Sequence, residues 1–163
     1  MTRVMDGHYR YRVLRDAYAD RVTNRSYRSF IILWVLLEAW LTDMSGKDRV
    51  KDKIDWFKEN DNPLKKYWVE INPRPHINSL IGFCPIHDKR PGHEPDPKSF
   101  SDPENPTVEE LVDILYRVRC NLFHGHDDIY TKDNVNLFCA CASILYKWLK
   151  WATHKALKNG ELT

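Results

Sequence analysis

Between Arg119 and Gly125 the chain reads RCNLFHG, which sets a permanent cation and an imidazole five positions apart. A guanidinium is a planar fork of donors that stays charged and matches phosphate oxygens. A histidine exchanges its proton near neutral pH and serves as general acid or base. Arg119 and His124 together have the chemistry to grip a phosphodiester and to move the proton that its cleavage requires. Asn121 stands between them as a hydrogen-bonding group for a phosphate or for the imidazole, and His126 is a further cation candidate beyond the turn. Cys120 fits a buried helical thiol better than a nucleophile.

Spacing alone decides nothing, because Arg3 and His8 stand at the same interval and receive no role. What distinguishes the later pair is the element that it closes. Thr107-Val108-Glu109-Glu110 is a capping box, with Thr at the cap, Glu three residues on and Pro106 just ahead. The helix that it opens runs through LVDILYRV, with Val108, Leu111, Leu115 and Val118 on its buried stripe. Gly125 is the first residue able to end it cheaply. Leu122 and Phe123 then anchor the turn in the core, and a catalytic side chain needs such anchoring to keep its geometry. A plainer reading of the same residues stays open: a cationic histidine suits a helix C-terminus, and Asn121 would only help to cap it.

The other elements follow from patterning. Residues from about Tyr9 to Met44 read as one bent helix or two, with Asn24-Arg25-Ser26 as the joint. An amphipathic helix is expected over Lys47–Glu59, and Tyr67–Ile71 reads equally as a short strand or a helical turn. All nine prolines lie between Pro63 and Pro106, and Asn72 to Pro106 reads as a long Pro-rich inserted loop. The last helix is expected over Asp133–Asn159, its stripe traced by Val135, Phe138, Ala142, Leu145, Leu149 and Ala152, with Gly160 as the stop. The expectation is a single all-α domain over 1–163, a bundle of four to five helices with the 72–106 loop inserted.

With these elements in place, the run LYRVRCNLFHG resembles the signature of HEPN domains, an all-helical superfamily of ribonucleases and toxins in prokaryotic defence and toxin–antitoxin systems. Its Asn-Leu-Phe-His-Gly ending is similar to that of the Apea-like branches. A polar residue often follows the arginine directly in the family; here Cys120 stands there and Asn121 comes next. The resemblance implies a metal-independent endoribonuclease without cofactor, working as a homodimer with both motifs in one interface cleft. It implies that His124 takes the proton of a ribose 2′-OH or gives one to the leaving 5′-oxygen. Arg119 would neutralise the scissile phosphate, and the product would end in a 2′,3′-cyclic phosphate. RNA is the implied substrate, and a nucleotidyltransferase-type antitoxin the implied protein partner. The alternative is a non-catalytic RNA-binding or partner-docking module of the same shape.

Composition sets the remaining expectations. Net charge is only +2, yet residues 1–28 hold seven arginines against three acids. Arg21, Arg25 and Arg28 recur at i, i+4 and i+7, a candidate RNA track or a solvated helical face. The amino-terminal residues are charged and show no signal peptide. The greasiest run, FIILWVLLEAWL, is interrupted by Glu38 and falls short of the roughly 20 residues that cross a bilayer. A cytoplasmic protein without a membrane partner is expected, and the four cysteines suit a reducing compartment. Cys84 and His87, with His93 and His76, have the residue types of a zinc site but lack a second paired motif. Most of the six tryptophans belong in the core, and of Trp148 and Trp151, three apart, one is expected to face outward.

Overall fold

In a computed structural model of the protein, the described residues are 10, 12–16, 26–71, 74–90, 92, 96–124 and 129–160. Among them are six helices and no strand: α1 (Ser26–Ser45), α2 (Val50–Glu59), α3 (Pro63–Glu70), α4 (Arg74–Ile81), α5 (Val108–Phe123) and α6 (Lys132–Lys158). Residues 10 and 12–16 are helical as well. The all-α expectation holds. The count of four to five helices is too low, because α3 and α4 lie where the prolines begin.

Both of these helices use proline where it costs nothing. Pro63 is the first residue of α3, behind an Asn62 cap whose side chain accepts from the Lys65 N–H at 3.2 Å. Pro75 falls in the first turn of α4. A first-turn residue has no intrahelical partner for its N–H, so proline loses no bond there. Tyr67 to Glu70 is therefore helical, with Ile71 as the cap. The inserted connection begins only after Ile81 rather than at Asn72.

The 27-residue α6 is the axis of the packing. The run α1 lies along it, and Phe30 stacks on Phe138 with ring centroids 6.1 Å apart. On another side, Trp148 meets Phe57 of α2 at 6.0 Å and Trp68 of α3 at 5.4 Å, both edge-on. Its indole N–H, buried among apolar groups, donates to the Leu64 carbonyl at 2.9 Å, which offsets the cost of burying it. Trp151 is half-buried and turns its indole N–H to the Glu70 carboxylate at 3.0 Å. The outward tryptophan is thus Trp151.

Glu38, the charge that breaks the greasy run of α1, has local employment. It accepts from the Trp34 indole at 2.9 Å and faces the buried Lys53 ammonium at 3.5 Å. Among the described residues no single helix is long and apolar enough to cross a membrane.

The capping box of α5 forms as read: the Thr107 hydroxyl accepts from the Glu110 N–H at 3.2 Å, and Glu110 accepts from the Thr107 N–H at 3.0 Å. Val108, Leu111, Leu115 and Val118 are all buried. Burial alone would push the Glu110 carboxyl up, but hydrogen bonds from Ser101 and Thr107 outweigh it and hold the group below its ordinary value. A lowered carboxyl adds stability above its unfolded pKa, about 4.3, and loses it as pH falls through the lowered folded value. We expect Thr107→Ala to cost about 1 kcal/mol in urea unfolding at pH 7. Wild type should lose stability between pH 5 and pH 3 more steeply than Glu110→Gln, and equal slopes would contradict this assignment.

Candidate functional site

The site is built at the last turn of α5. Arg119 is half-buried, and its guanidinium lies over the Phe123 ring, 4.6 Å from the centroid. The pair is one helical turn apart, which is why the two side chains meet. Phe123 is 52% exposed, so the aromatic shelf under the cation faces water. Arg119 Nε is buried without a hydrogen-bond partner, and among the described residues no carboxylate pairs with this guanidinium. His124 is the C-cap of α5, with its backbone N–H donating to the Cys120 carbonyl at 3.1 Å and its side chain exposed. Neither group of the expected pair is sealed behind the core.

Leu122 is half-buried, as an anchor should be, whereas Phe123 is mostly outside the core and serves Arg119 instead. Cys120 is buried, in keeping with a packed thiol. Burial pushes the neighbouring Tyr116 phenol above its ordinary value, with Cys120 adding to the rise and Arg119 and Arg90 opposing it. This end of α5 therefore gathers guanidiniums from two segments of the chain.

Asn121 takes a different part from the one expected of it. It is 1% exposed, and both ends of its amide are committed to the inserted segment. Its Oδ1 accepts from the Lys89 N–H at 3.1 Å and its Nδ2 donates to the His87 carbonyl at 2.9 Å. An amide so engaged has its donor and acceptor spent on backbone, and it faces neither a phosphate nor the imidazole. The hydrogen-bonding capacity was readable in the sequence; the partners, more than 30 residues away, were not.

Arg117, two residues before the candidate arginine, completes this anchor. It ion-pairs with Asp88 and reaches Asp96 at 3.3 Å, while Arg90 chelates the same Asp88 at 2.9 and 2.6 Å. The segment is closed at its base by the Ile86 and Lys98 backbones, which exchange hydrogen bonds of 2.9 Å. Glu110, Arg117 and Asn121 stand at i, i+7 and i+11, one stripe of α5, and all three hold the insert. Arg119, two residues beyond Arg117, is turned about 200° around the axis. One arginine is a structural clamp and the other is presented elsewhere. No sequence signal separates them without knowledge of Asp88.

Arg28 is exposed on α1, while Arg21, Arg25 and His126 lie outside the described residues. One arginine of the basic amino-terminal segment is inward: Arg10 is 1% exposed, pairs with Asp43 at 2.6 Å and stacks over Trp40 at 4.3 Å. The candidate zinc ligands do not gather among the described residues. Cys84 turns its thiol toward the Leu80 carbonyl at 3.6 Å, and burial pushes it up to about 11, so it holds its proton at neutral pH. His93 and the His76 side chain lie outside the described residues.

Chemically, the end of α5 offers water a guanidinium steadied by an aromatic ring and, at the next residue after that ring, an imidazole. The first can bind an oxyanion and the second can transfer a proton. No family model matches the chain, and no curated protein or solved structure does at a significant level.

Proposed function

We propose that the protein is a metal-independent endoribonuclease of the HEPN type, cleaving RNA at a site that two copies build across a homodimer interface. One observation carries this reading. The Arg119 guanidinium rests on an exposed phenyl ring with no carboxylate partner among the described residues, directly before an exposed His124. A surface arginine held by stacking keeps its fork for a phosphate. In this reading His124 moves the proton between the ribose 2′-OH and the leaving oxygen, and Arg119 balances the charge growing on phosphorus. A cytoplasmic role in defence, restrained by a nucleotidyltransferase-type antitoxin, belongs to the same proposal.

A second reading, a non-catalytic RNA-binding or partner-docking module, is favoured by one specific feature. Cys120 and Asn121 are both buried, so between Arg119 and His124 the chain shows solvent only Leu122 and Phe123. The deciding experiment is incubation of the purified protein with single-stranded RNA in excess EDTA. Fragments ending in 2′,3′-cyclic phosphate support the nuclease; binding without fragments supports the module.

A further inference from the structure

A cleft of about 210 Å³ opens beside Asn121, between the inserted segment and the first turns of α6. Phe83, Pro85 and Leu137 give it apolar walls, and Lys89 and Asp133 stand on its polar side. The wall from the insert is fixed in place, because Asn121 binds the backbone of His87 and Lys89 and because Arg117 holds Asp88. The cleft is therefore preformed, as small-molecule sites usually are. It lies at the same end of α5 as the proposed site, since Asn121 belongs both to the cleft and to the last turn, which His124 caps, with Arg119 on the other side of that turn.

Asp133 is the informative residue. Asp43, Asp88, Asp96 and Asp113 are each paired with a cation. Asp133 is exposed and, like Asp48 and Asp52, receives no donor among the described residues, but it stands on this cleft. Its place in the first turn of α6 suits the helix dipole, but the dipole does not require an apolar slot beside it. A flat ring entering between Phe83, Pro85 and Leu137 would bring its edge to this carboxylate. A carboxylate binds best where two parallel N–H groups meet it, and among the RNA bases guanine presents such a pair, N1–H and N2–H. Unstacked bases of single-stranded RNA are read on this edge. Lys89 adds positive charge for the attached phosphate.

We propose that the cleft binds a guanine base of the RNA, next to the linkage cleaved, and so sets a sequence preference. The inference rests on the nuclease reading, and the test separates the two. GMP, AMP, CMP and UMP are titrated calorimetrically into the full chain and into Asp133→Asn, and both proteins are assayed on RNA. GMP should bind roughly tenfold or more tighter than the other three. Asp133→Asn should remove that margin while leaving AMP binding unchanged, and cleavage beside G should lose its advantage. If the four nucleotides bind alike, or none binds, or Asp133→Asn keeps the GMP margin, the cleft has no such role, whether or not RNA is cut. Selective GMP binding without RNA cleavage would overturn the nuclease reading and leave the base site standing.

Discussion

Replacing His124 with alanine is expected to lower RNA cleavage about a hundredfold or more while the helical circular dichroism stays at the wild-type level. The fold should be indifferent because the imidazole is exposed at the C-cap and the cap's hydrogen bond to Cys120 is made by the backbone. Arg119→Ala should cost cleavage a similar or larger factor, of the order of 10²–10³, because it removes the charge opposite the phosphate. Its structural loss is confined to the contact with Phe123, worth about 0.5–1 kcal/mol at an exposed site. Arg119→Lys is the sharper probe. It keeps the charge and loses the planar fork, so it should fall between wild type and Arg119→Ala. Two groups acting on one transition state are not additive, so the double alanine variant should be little worse than the worse single. The assay is single-turnover cleavage in EDTA. Full activity in His124→Ala would end the proposal, and loss of helicity in either variant would return both residues to a structural role.

What could be read from the sequence depended on how far each residue's partner lies along the chain. The Thr107–Glu110 box joins residues three apart and was plain. The stripes of α5 and α6 repeat over several turns, and their named core positions are buried apart from Val135, which is half-buried near the start of α6. The prolines misled in one place. Pro63 and Pro75 each sit in a first helical turn, where the residue that breaks a helix interior is harmless. Reading proline density as loop therefore placed the insert's start too early, at Asn72 instead of after Ile81. At the site, the positions of Arg119 and His124 followed from where a capped helix must end. The fate of Asn121 did not follow, because an amide has the same composition whether it meets a phosphate or a distant backbone. Its engagement with His87 and Lys89 is a tertiary fact. The same holds for Arg117, which differs from Arg119 only in the direction that it faces and in the carboxylate waiting there.

That carboxylate is where the largest loss of stability is expected. Asp88 is only 2% exposed at its side chain and lies between Arg90 and Arg117, itself 10% exposed. Asp88→Ala would leave two guanidiniums facing each other with little water, and with only the mostly exposed Asp96, 3.3 Å from Arg117, as counter-charge. Breaking a buried pair from one side costs about 3–5 kcal/mol, and chemical unfolding of Asp88→Ala should show a loss of that size. Asp88→Asn keeps an acceptor but no charge and should fall between. Adding Arg117→Met to Asp88→Ala should recover part of the loss, since a buried apolar group is cheaper than an orphaned cation. A loss within about 0.5 kcal/mol, the usual range of surface substitutions, would mean that the clamp does not hold the insert. Hydrogen exchange locates the effect: protection of the Ile86, Lys89 and Lys98 amides, which depend on the closed segment, should fall before that of α6. Because Arg117 and Arg119 face different sides of α5, folded Asp88→Ala should retain more RNA cleavage than His124→Ala does. It should nevertheless lose the guanine margin, because one wall of that cleft is the segment that Asp88 secures. A variant that keeps cleavage and loses base preference would separate the helix end that does the chemistry from the insert that chooses where it happens.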